Sequence, residues 1–326
     1  MQAVKHAEKS SSIPSRTVAK KDRGDRVAPL KTRLWRYRWT YLLILPGLLY
    51  LLIFHYIPLL GNIIAFQDYS IYRGFFASNW VGLQNFSDIF SNPDIGYVIW
   101  NTVLLSLLQI IFAFPAAIVL SLMLNALIGV RFKRFMQSVL YLPHFLGWVI
   151  LISIWQQFFG TDGFINHIIA LFGIHPINFL TNSDFFRPML VLQVMWKETG
   201  WGTVIFLAAL STIDLNLYEA AVMDGANSWR RLWHITLPGI RSIIFLLLII
   251  RMGSILTTGF EQIILQIQGV DIHVAQTIDI FNFLTGIQGG QWGITAALGL
   301  VKMVVGTCLV LLANAVVKRF GEEGLI

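Results

Sequence analysis

A polar stretch between two long apolar runs combines residue types that could bind another protein. Residues 219–238 read EAAVMDGANSWRRLWHITLP. Gly225 permits a backbone turn that a residue with a Cβ resists, and Pro238 suits the first turn of a new helix. The pattern predicts two short helices joined by a bend at Asp224-Gly225. An exposed tip of small residues that carries Glu219 and Asp224 would fit a groove on a partner protein.

Four charged side chains fall inside predicted apolar helices: Lys197, Glu198, Arg251 and Lys302. A charge at the centre of a bilayer costs about 2.5–3.5 kcal/mol, so such a residue should face a cavity or a partner. One interpretation places them on a path for a polar solute, and three bases against one acid favour an anionic solute. The other is structural pairing, which the adjacent Glu198 makes the better explanation for Lys197. For Arg251 and Lys302 both interpretations stay open.

Trp196 is a further candidate for the solute path because it precedes this polar patch. Aromatic ring faces stack on the apolar C–H faces of sugars, whereas tryptophan also belongs to the belts at membrane interfaces. The predicted path residues are therefore Trp196, Lys197, Arg251 and Lys302.

Motifs for catalysis are missing from the sequence. No G-x-x-x-x-G-K-[ST] stretch could hold ATP phosphates. His55 and His144 have no metal-ligand companion three or four residues away, and no Ser, His and Asp stand in a triad context. Residues 288–291 (QGGQ) resemble part of an ATPase signature but are interpreted as a turn. We expect no enzyme activity from the chain alone, and no catalytic residue, metal or bound cofactor.

The composition is that of an integral membrane protein. Of 326 residues, 56% are hydrophobic and 13% are charged, against about 25% charged in soluble domains. Apolar runs of about 20 residues, the length that crosses a bilayer, predict an all-α fold with six transmembrane helices. The predicted spans are 41–66, 99–127, 135–159, 189–210, 243–260 and 294–317.

The basic residues predict the orientation of these spans. Of 24 Lys and Arg residues, 11 precede Tyr41, and most of the others follow the second, fourth and sixth spans. The alternate loops carry only Arg73 and Arg187. By the positive-inside rule, both termini and the loop 213–240 face the cytoplasm. Residues 1–34 are predicted to be a disordered, basic cytoplasmic tail. This distribution follows membrane topology and argues against binding of nucleic acid.

The polar stretch resembles the EAA loop of ABC-importer permeases, whose pattern is E-A-A, two residues, D-G-A and a later I-x-L-P. Leu232 stands where many members carry Phe, and it stays apolar. The matching residues are Glu219, Ala220, Ala221, Asp224, Gly225, Ala226, Ile235, Leu237 and Pro238. Shorter matches are Asn101-Thr102, residues 141–143 (YLP) and residues 259–262 (GFEQ). Together they are similar to the sugar-specific permeases of type I ABC importers, which are maltose-permease-like, and in particular to LplB-like oligosaccharide permeases.

The resemblance implies that residues 35–326 form a six-span permease domain of the type I ABC importer fold. A second, usually different permease would complete the channel in the bacterial cytoplasmic membrane. Two cytoplasmic ATPase subunits, or an ATPase homodimer, would hold ATP and Mg and receive the EAA loops in grooves. A solute-binding protein outside the membrane would deliver an oligosaccharide.

The resemblance also assigns roles within the loop. Glu219 and Asp224 become polar contacts or caps at the ATPase groove, and Gly225 supplies the bend. Close approach is permitted by the small residues Ala220, Ala221 and Ala226. Leu232 and Pro238 complete the predicted ATPase-coupling set.

The substrate stays open among maltose-like, pectic, alginate-like and mannan-like oligosaccharides. The basic residues and the LplB-like resemblance favour an acidic one, derived from alginate or pectin. The competing function is an ATP-independent secondary transporter or channel. It would explain six spans and buried charges, but not the EAA loop, and the halves of the chain show no inverted repeat.

Overall fold

A computed structural model describes residues 35–322 and 324. The predicted tail, 1–34, lies outside the described residues. The described residues divide into two units, with the boundary between Leu60 and Gly61.

The described elements are almost all helical. The α-helices are α1 (Arg38–Leu51), α2 (Ile57–Leu60), α3 (Gly74–Ala77), α4 (Gln84–Ser91), α5 (Ile95–Ala126), α6 (Val130–Tyr141), α7 (Trp148–Phe159), α8 (Phe164–Ala170), α9 (Ser183–Leu210), α10 (Leu215–Met223), α11 (Ser228–Arg231), α12 (Leu237–Gly239), α13 (Arg241–Gly253), α14 (Phe260–Ile264), α15 (Ile272–Ala275), α16 (Ile278–Phe281) and α17 (Trp292–Arg319).

Shorter irregular helices and one small sheet connect these elements. The 3₁₀ segments are Gly61–Phe66 and Leu142–Phe145, and the π-helical segments are Leu52–Tyr56, Leu232–Thr236 and Asn282–Gln288. Strands β1 (Gln67–Asp68) and β2 (Asn79–Trp80) pair antiparallel, with Gln67 opposite Trp80.

In the first unit, the described residues form an apolar helical run around Pro46. Every side chain from 35 to 60 is exposed. A leucine-rich surface of this size is costly in water but not in lipid, where a helix satisfies its own backbone hydrogen bonds.

The core of the second unit is organised along α5. This helix contributes to three buried apolar clusters at successive heights, and α9 runs beside it. The clusters centre on Val98 with Phe281, on Leu105 with Phe186 and Ile263, and on Ala117 with Phe206 and Ile240. The packing of α9 against α5 therefore fixes where the polar side chains of both helices lie.

One glycine lets α9 approach α6 at backbone distance. A Cβ built on Gly200 would lie 1.9 Å from the carbonyl oxygen of Leu140. No side chain can be accommodated there, so this contact fixes the height of α9 relative to α6.

Three described helices are long and apolar enough to cross a membrane as single elements: Arg38–Phe66, Ile95–Ala126 and Trp292–Arg319. They correspond to the first, second and sixth predicted spans. Up to six crossings result if each bent helix pair counts as one. The pairs are Val130–Phe145 with Trp148–Ala170 (105°), Ser183–Leu210 with Leu215–Met223 (75°) and Ser228–Gly239 with Arg241–Gly253 (58°).

The third and fifth predicted spans are not the single helices expected. The range 135–159 is interrupted at 142–147, where Pro143 lacks a backbone donor and Gly147 is extended. The range 243–260 is interrupted at 254–259, where the chain is irregular up to Gly259 in the left-handed region (φ 57°). We call these segments the third-span break and the fifth-span break.

Replacing Gly200 tests the contact between α9 and α6. We expect Gly200→Ala to lower the midpoint of thermal unfolding in detergent strongly, because overpacking against side chains alone costs about 1–3 kcal/mol and a backbone carbonyl cannot rotate away. Gly299→Ala on α17 is the matched control, since no described atom lies within 4 Å of its added Cβ. Unchanged unfolding of Gly200→Ala would contradict the contact.

Candidate functional site

Lys197 donates hydrogen bonds to two backbone carbonyls at the third-span break. Its Nζ donates to the carbonyl oxygens of His144 at 2.8 Å and of Leu146 at 2.6 Å, and it lies 5.5 Å from the ring centre of Trp148. A carbonyl without a partner costs several kcal/mol in hydrocarbon. The lysine is thus a structural donor in this arrangement, and its partners are carbonyls rather than Glu198.

Glu198 points to a different partner from its neighbour. Its Oε2 lies 2.9 Å from Nδ1 of His144, and 42% of its side chain remains exposed. The His144 ring in turn stacks on Trp201, with ring centres 4.7 Å apart and planes 1° apart. The break therefore presents an acid, an imidazole and an indole side by side on an accessible surface.

The fifth-span break is held by hydroxyl groups. The Ser106 hydroxyl on α5 donates to the freed carbonyl of Ile255 and lies 2.6 Å from the Thr258 hydroxyl. The two side chains replace the helical hydrogen bond that the break removes. A small cleft of about 10 Å³ results, lined by Ser106, Gln109, Ile110, Arg251, Ser254, Ile255, Thr257 and Thr258.

Arg251 is the charged residue of this cleft. Its Nη2 donates to the neutral Gln109 Oε1 at 2.8 Å. It forms no ion pair with any described residue, although the Glu198 charge acts on it electrostatically. A guanidinium has five donors, so Arg251 retains capacity for a further acceptor.

Three glutamines anchor the chain just after the fifth-span break. Gln193 Oε1 on α9 accepts from Gln262 Nε2 at 2.6 Å and from Gln266 Nε2 at 3.0 Å. Gln193 Nε2 donates to Gln266 Oε1 at 2.9 Å, so the side chains satisfy one another while buried. The GFEQ match at 259–262 thus supplies the left-handed glycine and an anchoring amide.

The Asn101-Thr102 match fastens a second irregular segment to α5. Asn101 Nδ2 donates to the carbonyls of His273 at 2.8 Å and Gln276 at 3.0 Å, and its Oδ1 accepts from Arg187 at 2.7 Å. Thr102 Oγ1 accepts from the Ile278 backbone N–H at 2.9 Å. Both matches mark places where side chains hold non-helical backbone.

The other predicted path residues lie in different surroundings. Lys302 Nζ pairs with Asp279 Oδ1 at 2.5 Å, so a structural partner exists for this charge. Trp196 borders an apolar pocket of about 410 Å³ and meets Trp155 edge-on at 6.1 Å. The structure therefore brings Lys197 and Arg251 to the two breaks, but not Lys302 and Trp196.

The residues of the predicted loop form a hairpin, which we call the EAA hairpin (213–240). Its first arm, α10, is capped by Asp214, whose side chain accepts from the Asn216 N–H at 3.0 Å. Its second arm begins at Asn227, which accepts from the Arg230 N–H at 2.8 Å. The Tyr218 and Thr236 hydroxyls, 3.0 Å apart, join the arms.

The bend of the hairpin is a helix C-cap of Schellman type. Ala226 N–H donates to the Ala221 carbonyl at 2.8 Å, and Gly225 N–H donates to Val222 at 3.0 Å. Gly225 has φ 73°, the left-handed conformation that glycine adopts without strain. The predicted bend at Asp224-Gly225 is confirmed in position and has this hydrogen-bonded basis.

The tip of the hairpin is uncovered. Glu219, Ala220, Asp224 and Gly225 are exposed, and Met223 is 86% exposed, with Val222 also open. Leu215 is exposed at the base of the first arm. Ala221, Ala226 and Leu232 are half-buried, and Pro238 is exposed. An exposed apolar and acidic tip suits docking, but the predicted coupling roles of these residues remain predictions.

Sequence reasoning missed the polar residues that hold the breaks. Ser106 and Gln109 stand three residues apart in an apolar helix, and this spacing puts both on one face. Asp214 and Asn227 precede helices, the position where Asp and Asn act as caps. These signals were present locally, whereas the pairing of Gln109 with Arg251 has no local signal.

Comparison with known proteins finds a consistent set of relatives. The family described as "Binding-protein-dependent transport system inner membrane component" matches residues 113–322. Protein LplB of Bacillus subtilis (strain 168) is 50% identical over 293 residues, which cover 90% of this chain and 92% of the relative. The polygalacturonan/rhamnogalacturonan transport system permease protein YteP of the same organism is 42% identical over 323 residues, covering 99% and 100%.

A solved structure also matches. A chain in the crystal structure of a bacterial alginate ABC transporter, in complex with an alginate pentasaccharide-bound periplasmic protein, superposes with a TM-score of 0.84. It is 34% identical, and the match covers 91% of this chain and 99% of that chain.

Removing the Lys197 ammonium tests the account of the third-span break. We expect Lys197→Met to lower the thermal unfolding midpoint in detergent, because each of two carbonyls loses its donor at about 1–3 kcal/mol. Lys133→Met is the control, since Lys133 makes only a 3.5 Å contact with Asn125. Equal midpoints for both variants would refute the structural role of Lys197.

Proposed function

Because the chain belongs to the binding-protein-dependent transport system inner membrane component family and has the fold of a type I ABC permease, we propose that it is the transmembrane permease subunit of an ATP-driven oligosaccharide importer. The observation that carries this proposal is its near full-length similarity to YteP, a permease named for polygalacturonan and rhamnogalacturonan transport. The similarity to a bacterial alginate transporter supports it independently.

We propose that the EAA hairpin couples the permease to an ATPase. Its support is an exposed apolar and acidic tip on a rigid, capped hairpin. Burial of Met223 and Val222 in a groove would remove apolar surface from water, at about 25 cal/mol per Å². A hairpin whose two helices are both capped can transmit a displacement as a unit, whereas a flexible loop would deform instead.

The proposed assembly contains partners that would bind to different faces. A second, related permease would complete the channel, and two ATPase subunits would supply ATP and Mg. A solute-binding protein would dock on the outer loops, in line with the periplasmic protein in the alginate transporter structure. We further propose six membrane crossings, cytoplasmic termini and the bacterial cytoplasmic membrane as the location, on the distribution of basic residues.

We propose that the sugar passes the two breaks and that Arg251 contacts it. Arg251 has a neutral partner, Gln109, and spare donors, whereas Lys197 and Lys302 are engaged by carbonyls and by Asp279. Guanidinium binds a carboxylate through two parallel hydrogen bonds. A uronate-containing oligosaccharide is therefore the proposed substrate, with Trp201 as a stacking surface nearby.

The function is tested with the assembled transporter in proteoliposomes. The binding protein would be loaded with uronate oligomers or with neutral oligomers of the same length. We expect ATP hydrolysis and uptake to rise with uronate oligomers and to stay basal with neutral ones. Stimulation by neutral oligomers alone would contradict the acidic substrate, and uptake that needs no ATP would contradict the importer.

Arg251 should decide the charge preference of the path. We expect Arg251→Gln to lower uptake of uronate oligomers about tenfold to a hundredfold, because a hydrogen bond to a charged group contributes about 1.5–3 kcal/mol. Arg251→Lys should retain part of the rate, and sugar binding to the binding protein should not change. Undiminished uronate uptake by Arg251→Gln would exclude Arg251 from the path.

Gly225 tests the coupling role of the hairpin. We expect Gly225→Trp to lose the ATPase subunit on purification and to lose ATP-driven uptake. The reason is that the left-handed φ strains most residues with a Cβ, including Trp, by about 1–2 kcal/mol and that an indole would block the tip. Gly225→Asn is the control, since Asn tolerates this conformation. A Gly225→Trp variant that still binds and drives the ATPase would contradict coupling through this tip.

A further inference from the structure

The end of the last long helix, α17, is built to turn the chain back on itself. The helix ends at Arg319, and Gly321 follows with φ 78°, its N–H donating to the Lys318 carbonyl at 3.1 Å. A left-handed glycine after a helix reverses the chain direction. Glu322 is therefore directed towards the neighbouring helix rather than away from the protein.

Glu322 makes a three-point contact with the first turn of α13. Arg241 Nε donates to its Oε1 at 2.5 Å, Arg241 Nη2 contacts the same oxygen, and the Ser242 hydroxyl donates to Oε2. The glutamate side chain is only 10% exposed, against 52% for Arg241. We call this contact the Glu322 clamp.

The clamp occupies a helix start that otherwise lacks a cap. Among the described residues, no side chain caps α13 at Ile240. A negative charge at a helix N-terminus is stabilised by the helix dipole. Beside it, the rings of Phe245 and Phe320 stack with centres 6.0 Å apart and planes 16° apart. Both contacts join α13 to the end of α17.

The clamp lies at the hinge of the EAA hairpin. The second arm ends at Gly239, and the chain turns by 58° into α13 at Arg241. A Cβ on Gly239 would lie 2.9 Å from Cδ1 of Ile213, so the two arms are also in close contact at this point. Arg241 is thus the first helical residue of α13 that a displacement of the hairpin would reach.

We propose that Glu322 is a positioning residue for energy coupling: it fastens the last helix to the hinge of the EAA hairpin, so that a displaced hairpin moves α13 and α17 together. This inference rests on the proposed function of the hairpin. Without the clamp, only apolar packing, such as the Phe245–Phe320 stack, would join the start of α13 to the end of α17, and less of a push on the hairpin would reach α17.

The two helices that the clamp joins carry charged residues of the membrane region. Arg251 lies ten residues along α13, about 15 Å from the clamp at 1.5 Å per residue. Lys302, paired with Asp279, lies on α17. If α13 moved while α17 stayed, the surroundings of Arg251 would change differently from those in a joint movement. When the EAA hairpin is displaced, the Glu322 clamp therefore favours joint movement of α13 and α17 over movement of α13 alone.

The Glu322 carboxyl is ionised under working conditions. The Ser242 hydroxyl, followed by the Arg241 side chain, holds the pKa of Glu322 below its ordinary value. A carboxyl with a depressed pKa contributes its interaction above the ordinary pKa and loses it only as the pH falls below that value. The clamp is thus closed at neutral pH.

The test uses the complete reconstituted transporter and measures two rates on the same vesicles, sugar uptake and ATP hydrolysis. We expect Glu322→Gln, which keeps the size of the side chain, to lower the number of sugars imported per ATP about fivefold, the lower end of typical coupling factors. The double variant Arg241→Glu with Glu322→Arg should restore most of the ratio. Arg319→Gln is the control, because Arg319 forms no ion pair with a described residue.

The possible results distinguish a failure of the proposed importer function from a failure of the proposed role of Glu322. If wild-type vesicles show no ATP-driven uptake, the proposed function fails. If the wild type imports sugar but Glu322→Gln keeps the wild-type ratio, the inference is overturned, even when the variant is less stable or both rates fall in proportion. A double variant no better than Glu322→Gln would also overturn it, because the charge pair would then not be the cause.

Discussion

A helix that breaks inside hydrocarbon must find new donors for the carbonyls it frees, and this constraint explains most of the polar chemistry of the protein. The chain breaks twice within predicted spans. Lys197 serves the break at 142–147, and Ser106 with Thr258 serves the break at 254–259. Without these donors, each freed carbonyl would cost several kcal/mol. The same side chains that allow the breaks also create a polar surface in an otherwise apolar interior.

That polar surface offers contacts for a polar solute. The breaks bring together side chains from α5, α9 and α13, because α5 and α9 pack side by side along their length. Arg251 is distinguished there by the guanidinium donors that remain beside the one that Gln109 accepts. At the other end of α13 the EAA hairpin begins, so one helix of 13 residues connects the proposed ATPase contact with the proposed sugar contact. Its shortness suits it to transmit a displacement as a rigid element.

Much of the fold was predictable from the sequence. Apolar runs located the three predicted spans that the structure forms as single long helices, and the Asp224-Gly225 bend followed from the conformational freedom of glycine. The breaks were missed because apolar residues continue through Ile255 and Leu256, so that a hydrophobic run conceals a change of backbone. The predicted fourth span begins at 189, whereas α9 begins at Ser183 and accommodates Pro188. Partners such as Lys197 with the Leu146 carbonyl or Gln109 with Arg251 lie 51 and 142 residues apart, and no local pattern encodes them.

If the fifth-span break lines the proposed sugar path of an ATP-driven importer, its cleft should be accessible from opposite sides of the membrane in two states of the transporter. The chain has one cysteine, Cys308, so a Cys308→Ser protein carrying Ser254→Cys reports on a single exposed position of the cleft. The measurement is its labelling in proteoliposomes by a membrane-impermeant maleimide, added from either side, with and without nucleotide trapping. We expect labelling from opposite sides in the two states and protection by the uronate oligomer. Labelling that is absent in both states, or that sugar and nucleotide leave unchanged, would contradict the proposed path.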